Sequence, residues 1–131
     1  MKFLTVVLAI FSLSSWGHEL NTDNYVKMQE ALAKDDFKTA LTIHKEICEK
    51  ELMHYADDSY KDCKNNFKSI DELRESFKGL SSLYIENGKK EKMKDLIVVE
   101  CPMAKANWIQ KEGKVSNPYY GKSMLECGEK I

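Results

Sequence analysis

From Asn21 to about Lys90, apolar residues recur at three- and four-residue intervals, the spacing that lines one face of an α-helix. In "TDNYVKMQEALAKDD", Tyr25, Met28 and Leu32 form one stripe, and Thr22 or Asp23 is placed to cap its start. The pattern resumes in "DFKTALTIHKEICEKELMHYA" with Phe37, Ala40, Leu41, His44, Ile47, Cys48 and Leu52. Asp35 and Asp36, between the two stretches, supply a cap and favourable negative charge for the second helix. Tyr60, Cys63 and Phe67 continue the helical spacing. Ser69 and Glu72 then have the form of a capping box ahead of the stripe Ile70, Leu73, Phe77, Leu80 and Tyr84, and Asn87-Gly88 ends it.

After Lys94 the period changes. "DLIVVEC" is a short β-branched run that reads as a strand ended by Pro102. "NWIQKEGKVSNPYYG" carries turn chemistry at Glu112-Gly113 and Asn117-Pro118 with aromatics between, and "KSMLEC" reads as one helical turn ended by Gly128. No repeat and no low-complexity linker interrupts the chain. The pattern predicts a mainly α fold: a three- to four-helix bundle with a short strand and an irregular C-terminal segment docked on it.

The first residues change the picture of where the chain works. "MKFLTVVLAIFSLSSWG" has one lysine, an apolar run from Phe3 to Leu13 and then small residues, the layout of a secretory leader cleaved after Gly17. The run is shorter than the roughly 20 residues of a membrane-spanning helix. The expectation is a signal peptide over 1–17, a single helical domain over 18–131, a periplasmic or otherwise exported location, and no stable membrane insertion once the leader is removed. With 20 basic against 21 acidic side chains, interspersed along the chain, no concentrated basic patch exists for nucleic acid or anionic lipid.

Export gives the four cysteines, Cys48, Cys63, Cys101 and Cys127, a default role as disulfides, with three possible pairings. Cys48 and Cys63 lie on consecutive predicted helices with a turn expected near Asp57-Asp58, so an antiparallel pair can join them in a structural disulfide. The other two keep different company. Cys101 and Met103 flank a proline that favours extended backbone for the residue before it, and in an extended chain i and i+2 share a face. Met124 and Cys127, three apart, share a side on a helical turn. If the two segments face each other, two thiolates and two thioethers converge, a soft donor set suited to Cu(I) or Ag(I) over hard cations. Zinc prefers histidine or further thiolates, and His18, His44 and His54 lie far upstream. The alternative stays open: Cys101 and Cys127 form a second disulfide, with Met103 and Met124 as gap-filling core residues.

Taken together, "CPMA", "W", "NPYYG" and "MLECG" resemble the C-terminal signature of a small periplasmic domain family of undefined activity. Its members occur alone or joined to adaptor proteins of heavy-metal, chiefly copper, efflux systems. The helical half, with "ALAKDDFKTAL" and "LRESFKGLSSLYIE", is similar to the same family's helical region. The resemblance implies that Cys101, Met103, Met124 and Cys127 occupy the motif positions, that the cargo is copper or silver, and that an efflux adaptor is a partner. The stretch between Met103 and Trp108 lacks the glycine that members often carry.

Other residues have modest claims. His18 as a new N-terminus can chelate Cu(II), His44 sits on an apolar stripe, and His54 can cap a helix end. Trp108, Tyr119 and Tyr120 can dock the C-terminal segment and shield a metal from water. No C-x-x-C, G-x-S-x-G, H-E-x-x-H or phosphate-loop pattern occurs, so no enzymatic activity is expected. The sequence therefore predicts an exported protein that binds Cu(I) or Ag(I) for buffering or hand-over to an efflux system. The competing expectation is a disulfide-stabilised helical protein-interaction module without metal.

Overall fold

The structure is a computed structural model that describes residues 20–52, 63, 66–88 and 93–131. The expected leader with His18, as well as Met53, His54, Asp57-Asp58 and Tyr60, lies outside those residues. Three helices, α1 (Thr22–Ala33), α2 (Phe37–Lys50) and α3 (Ile70–Asn87), precede strands β1 (Leu96–Cys101), β2 (Ala106–Lys111) and β3 (Glu129–Lys130). The strands form one antiparallel sheet in the order β2-β1-β3. α1 and α3 pack on β2, and α2 lies against α1.

The three helices follow the apolar spacing, but the helical spacing of Cys63 and Phe67 forms no helix at either residue. Tyr25, Met28 and Leu32 of α1 and Leu73, Phe77, Leu80 and Tyr84 of α3 are buried, as are Ala40, His44, Ile47 and Cys48 of α2. Their caps differ in detail. Asn21, not Thr22 or Asp23, caps α1 by accepting from the Asp23 amide at 3.0 Å. Asp36 caps α2 through the Thr39 amide at 3.1 Å. Ser69 accepts from the Glu72 amide at 3.3 Å, while the Glu72 carboxylate reaches back to the Lys68 amide at 3.0 Å. Cys48 and Cys63 are joined by a disulfide, with Cα atoms 5.7 Å apart.

A mainly α bundle is not what forms: the fold is mixed, three helices against a three-stranded antiparallel sheet. β2 escaped the sequence pattern because it is covered on both faces. Trp108, Ile109 and Gln110 are consecutive and all buried, so the alternation that marks a half-buried strand is absent. Gln110 tolerates burial because its amide is fully used. Its Oε1 accepts from Trp108 Nε1 and the Ser116 amide, both at 2.9 Å, and its Nε2 donates to the carbonyls of Lys114 at 2.8 Å and Lys111 at 3.2 Å. β3 has two charged residues and no pattern at all; only its pairing with β1 defines it.

Among the described residues no strand pairs with the outer edge of β2, and tyrosines close that edge instead. The Ile109 amide donates to Tyr25 Oη at 3.1 Å, and Tyr119 Oη donates to the Asn107 carbonyl at 2.6 Å. Between them, Ser81 Oγ lies 2.6 Å from Tyr25 Oη and 3.0 Å from Tyr119 Oη. Counting protons orders this chain. Tyr119 has one hydrogen and the Asn107 carbonyl can only accept, so Ser81 donates to Tyr119 and Tyr25 donates to Ser81. The run from Ile109 N–H to Asn107 C=O is thus unidirectional, and burial holds the pKa values of Tyr25 and Tyr119 well above the ordinary phenol value, with the Ser81 hydrogen bonds acting the other way. Substituting Tyr25→Phe leaves the Ile109 amide buried without a partner. Urea unfolding should show a loss of about 1–3 kcal/mol as a lower midpoint at unchanged slope.

Candidate functional site

Everything after Gly113 is a return path, and polar clamps hold it to the helices and sheet. Gln29 Nε2 donates to the Ser116 carbonyl at 2.7 Å from α1. Arg74 of α3, almost fully buried, donates through Nε to the Pro118 carbonyl at 2.8 Å and through Nη2 to the Leu32 carbonyl at 2.8 Å and Asp35 Oδ1 at 2.6 Å. One guanidinium therefore fastens the end of α1, the α1–α2 turn and the returning loop. Asp35, at φ 59, also accepts from the Lys122 amide at 3.3 Å. Gly121, at φ +59, packs so closely on Asp35 and Arg74 that a Cβ there would overlap both.

Asn117 closes the loop on itself. It is fully buried, and its Oδ1 accepts from the amides of Tyr119 at 2.8 Å and Tyr120 at 3.1 Å. Its Nδ2 donates to the Cys127 carbonyl at 2.7 Å, and its backbone amide donates to Leu125 at 2.7 Å. Beyond Cys127 the chain pairs with β1, Glu129 opposite Glu100 and Lys130 opposite Val99. Gly128 allows this approach, because a Cβ there would stand 2.7 Å from Trp108 Cη2 and 2.9 Å from Val99 Cγ1 at a φ of +153.

That path brings together Cys101 and Cys127, 26 residues apart, with their Sγ atoms at 3.6 Å and no bond between them. Cys101 is buried at the end of β1 and Cys127 is half-buried. The Cys101 thiol beside Cys127 raises the Cys127 thiol pKa above its ordinary value, with partial burial acting the same way. The separation lies between the roughly 2.05 Å of a disulfide and the ~4.6 Å that two metal–sulfur bonds of about 2.3 Å would span in a line.

The thioethers are placed differently from the sequence expectation. β1 ends at Cys101, and Pro102 to Lys105 form a turn closed by the Lys105 amide on the Pro102 carbonyl at 3.2 Å. Met103 stands on that turn, 65% exposed, so the extended geometry that would align it with Cys101 is absent. Lys105 takes φ 51, a conformation glycine adopts without strain. The expected helical turn over 122–127 is instead a short 3₁₀ segment, Gly121–Ser123, followed by a turn in which the Cys127 amide donates to the Met124 carbonyl at 3.2 Å. Met124 is half-buried there.

Of the aromatics, Trp108 is fully buried beneath Gly128, next to Cys127 in the chain. Tyr119 belongs to the hydroxyl chain in the core, and Tyr120 is half-buried with its carbonyl accepting from Ser123 Oγ at 2.7 Å. His44 is buried in α2, with Nε2 3.8 Å from Cys48 Sγ and its ring edge-on to Phe67. Among the described residues, no group of three or more His, Cys, Asp or Glu is arranged to hold a metal, and no helix is long and apolar enough to cross a membrane. Sequence reasoning missed Arg74 and the clamping role of Asn117; the Asn-Pro pair announced a turn and nothing more.

Compared with family models, with curated proteins and with solved structures, the chain finds no match.

The Arg74 hydrogen bond holds the Asp35 carboxyl below its ordinary 3.8. A depressed folded value means the ionised carboxylate stabilises the fold above pH 3.8, and this contribution disappears as pH falls through the lower folded value. In acid titrations followed by Trp fluorescence, Asp35→Asn should lose stability relative to wild type at neutral pH, and the difference should shrink below that range.

Proposed function

We propose that this chain is an exported, non-enzymatic carrier of a soft monovalent ion, Cu(I) or Ag(I), held between Cys101 and Cys127. The protein buffers the ion or hands it to an adaptor of an efflux system. The observation that carries this reading is the approach of two free thiols to 3.6 Å, one at the end of β1 and one in the turn before β3, at a point where the first is buried and the second half-exposed. Two thiolates without a third histidine, carboxylate or cysteine nearby suit an ion that accepts low coordination and soft ligands.

Each residue has a distinct task in this reading. Cys101 anchors the ion from the core, and Cys127 meets it from the solvent side. Met124, in the same turn as Cys127, is a half-buried thioether on the solvent side of the pair. Met103, exposed on the turn after Cys101, is a ligand suited to exchange with a partner protein.

A second reading draws on the same distance. Closure of the two thiols into a disulfide would make the chain a disulfide-locked interaction module with no cargo. Anaerobic titration of the reduced protein with Cu(I) against a competing chelator, with intact-mass analysis, separates the two. The expected result is one ion per chain, with Cys101→Ser or Cys127→Ser weakening it by more than the roughly 10–100-fold typical of losing an outer partner. Absence of binding, or binding that survives both substitutions, would leave the module reading in place.

Loading must also displace thiol protons. Because the Cys127 thiol is held above its ordinary value, proton and ion compete near neutrality, and apparent affinity should rise with pH. Titrations at several pH values should show about two protons released per ion.

A further inference from the structure

The thiols do not meet because their own segments are paired over any length. β3 has only two residues, and Cys127 is separated from it by Gly128, the residue that would continue the ladder opposite Cys101. What fixes Cys127 is the loop behind it. The Asn117 side chain holds the backbone of Cys127 and of the loop's other end at once, through the Cys127 carbonyl at 2.7 Å and the Tyr119 and Tyr120 amides at 2.8 and 3.1 Å. It has no exposure to water, so each of these bonds lacks a solvent substitute.

We propose that Asn117 is the positioning residue of the thiol pair: its Nδ2–H bond to the Cys127 carbonyl holds Cys127 Sγ against Cys101 Sγ before any ligand or oxidant arrives. In chemical terms, Asn117 sets the effective concentration of one thiol at the other. For an ion, this means that the ordering of the 117–127 loop is complete before binding. The benefit to metal binding rests on the reading in the preceding subsection; the positioning itself does not.

The test therefore uses a reaction of the two thiols that needs no metal. Full-length mature protein is equilibrated at pH 8 with mixtures of reduced and oxidised glutathione. The Cys127 thiolate attacks glutathione disulfide, forming a mixed disulfide and releasing one glutathione thiolate. The Cys101 thiolate then displaces the second, leaving a Cys101–Cys127 bond and two glutathione thiols, with the protein's two thiol protons passed to glutathione and buffer. Alkylation and peptide mass analysis report this pair separately from Cys48–Cys63. The equilibrium constant gives the effective concentration.

Two variants are compared with wild type below their melting transitions. Asn117→Ala removes every side-chain bond. Asn117→Asp keeps the acceptor for the Tyr119 and Tyr120 amides and loses the amide donor to Cys127. Both should lower the effective concentration about tenfold or more. An unchanged value in either variant overturns the assignment, because the Cys127 contact would then not hold the pair. Loss of the fold in both overturns it as well, making Asn117 a residue of the fold alone. Silver(I) titration runs beside this measurement. If wild type takes up no silver, the carrier reading fails while the glutathione equilibrium still decides the role of Asn117.

Discussion

The return of residues 114–131 to the free side of β1 is the constraint on which the rest of this molecule depends. A chain leaving β2 at Lys111 has no local reason to come back: its sequence there is polar, turn-rich and without an apolar stripe. It comes back because buried polar groups from older parts of the fold wait for its carbonyls. Gln29, Gln110 and Arg74 each donate to a backbone oxygen of the returning loop. A buried donor without an acceptor costs more than the net gain of an ordinary hydrogen bond, so these side chains enforce one path. The guanidinium of Arg74 is the strictest of them, since its donors also hold the end of α1 and the Asp35 carboxylate.

This arrangement explains why the two cysteine pairs differ. Cys48 and Cys63 close a short interval, 15 residues apart, and a bond across such a loop stabilises mainly by narrowing the unfolded ensemble, by about 3 kcal/mol. Cys101 and Cys127 close a longer one that hydrogen bonds already hold in place. A covalent bond there would add little positional information, whereas two free thiols kept at contact distance retain chemistry. Rigid support around an uncommitted donor pair is what a binding site requires.

The sheet edge offers a parallel case. Among the described residues β2 has a strand neighbour on one side alone, and edge strands invite unwanted pairing. Tyr25 and Tyr119 cover that side with hydroxyls linked through Ser81. The same Tyr119 begins the Tyr-Tyr-Gly stretch whose amides Asn117 binds. Protection of the edge and placement of the loop are therefore two results of one set of contacts, and both converge on β2 and its neighbour β1, where Cys101 sits.

Helix positions were legible from spacing because each helix buries one face against the rest and exposes the other; Tyr25, Met28, Leu32, Leu73, Phe77 and Leu80 follow from that alone. Capping residues were legible to within a position, since they act on amides two or three residues away. The run Leu96–Cys101 showed its β-branched character. What the residues by themselves did not determine is everything decided across long separations. β2 hides its alternation because both of its faces are covered, and β3 exists only as the partner of β1. Motif positions at Cys101, Met103, Met124 and Cys127 suggested four convergent sulfurs from local geometry, an extended step and a helical turn. The tertiary structure replaced both with turns, leaving Met103 exposed and bringing the two thiols together, because hydrogen bonds from Asn117 and Arg74, distant in sequence from what they hold, set the course of the chain between them.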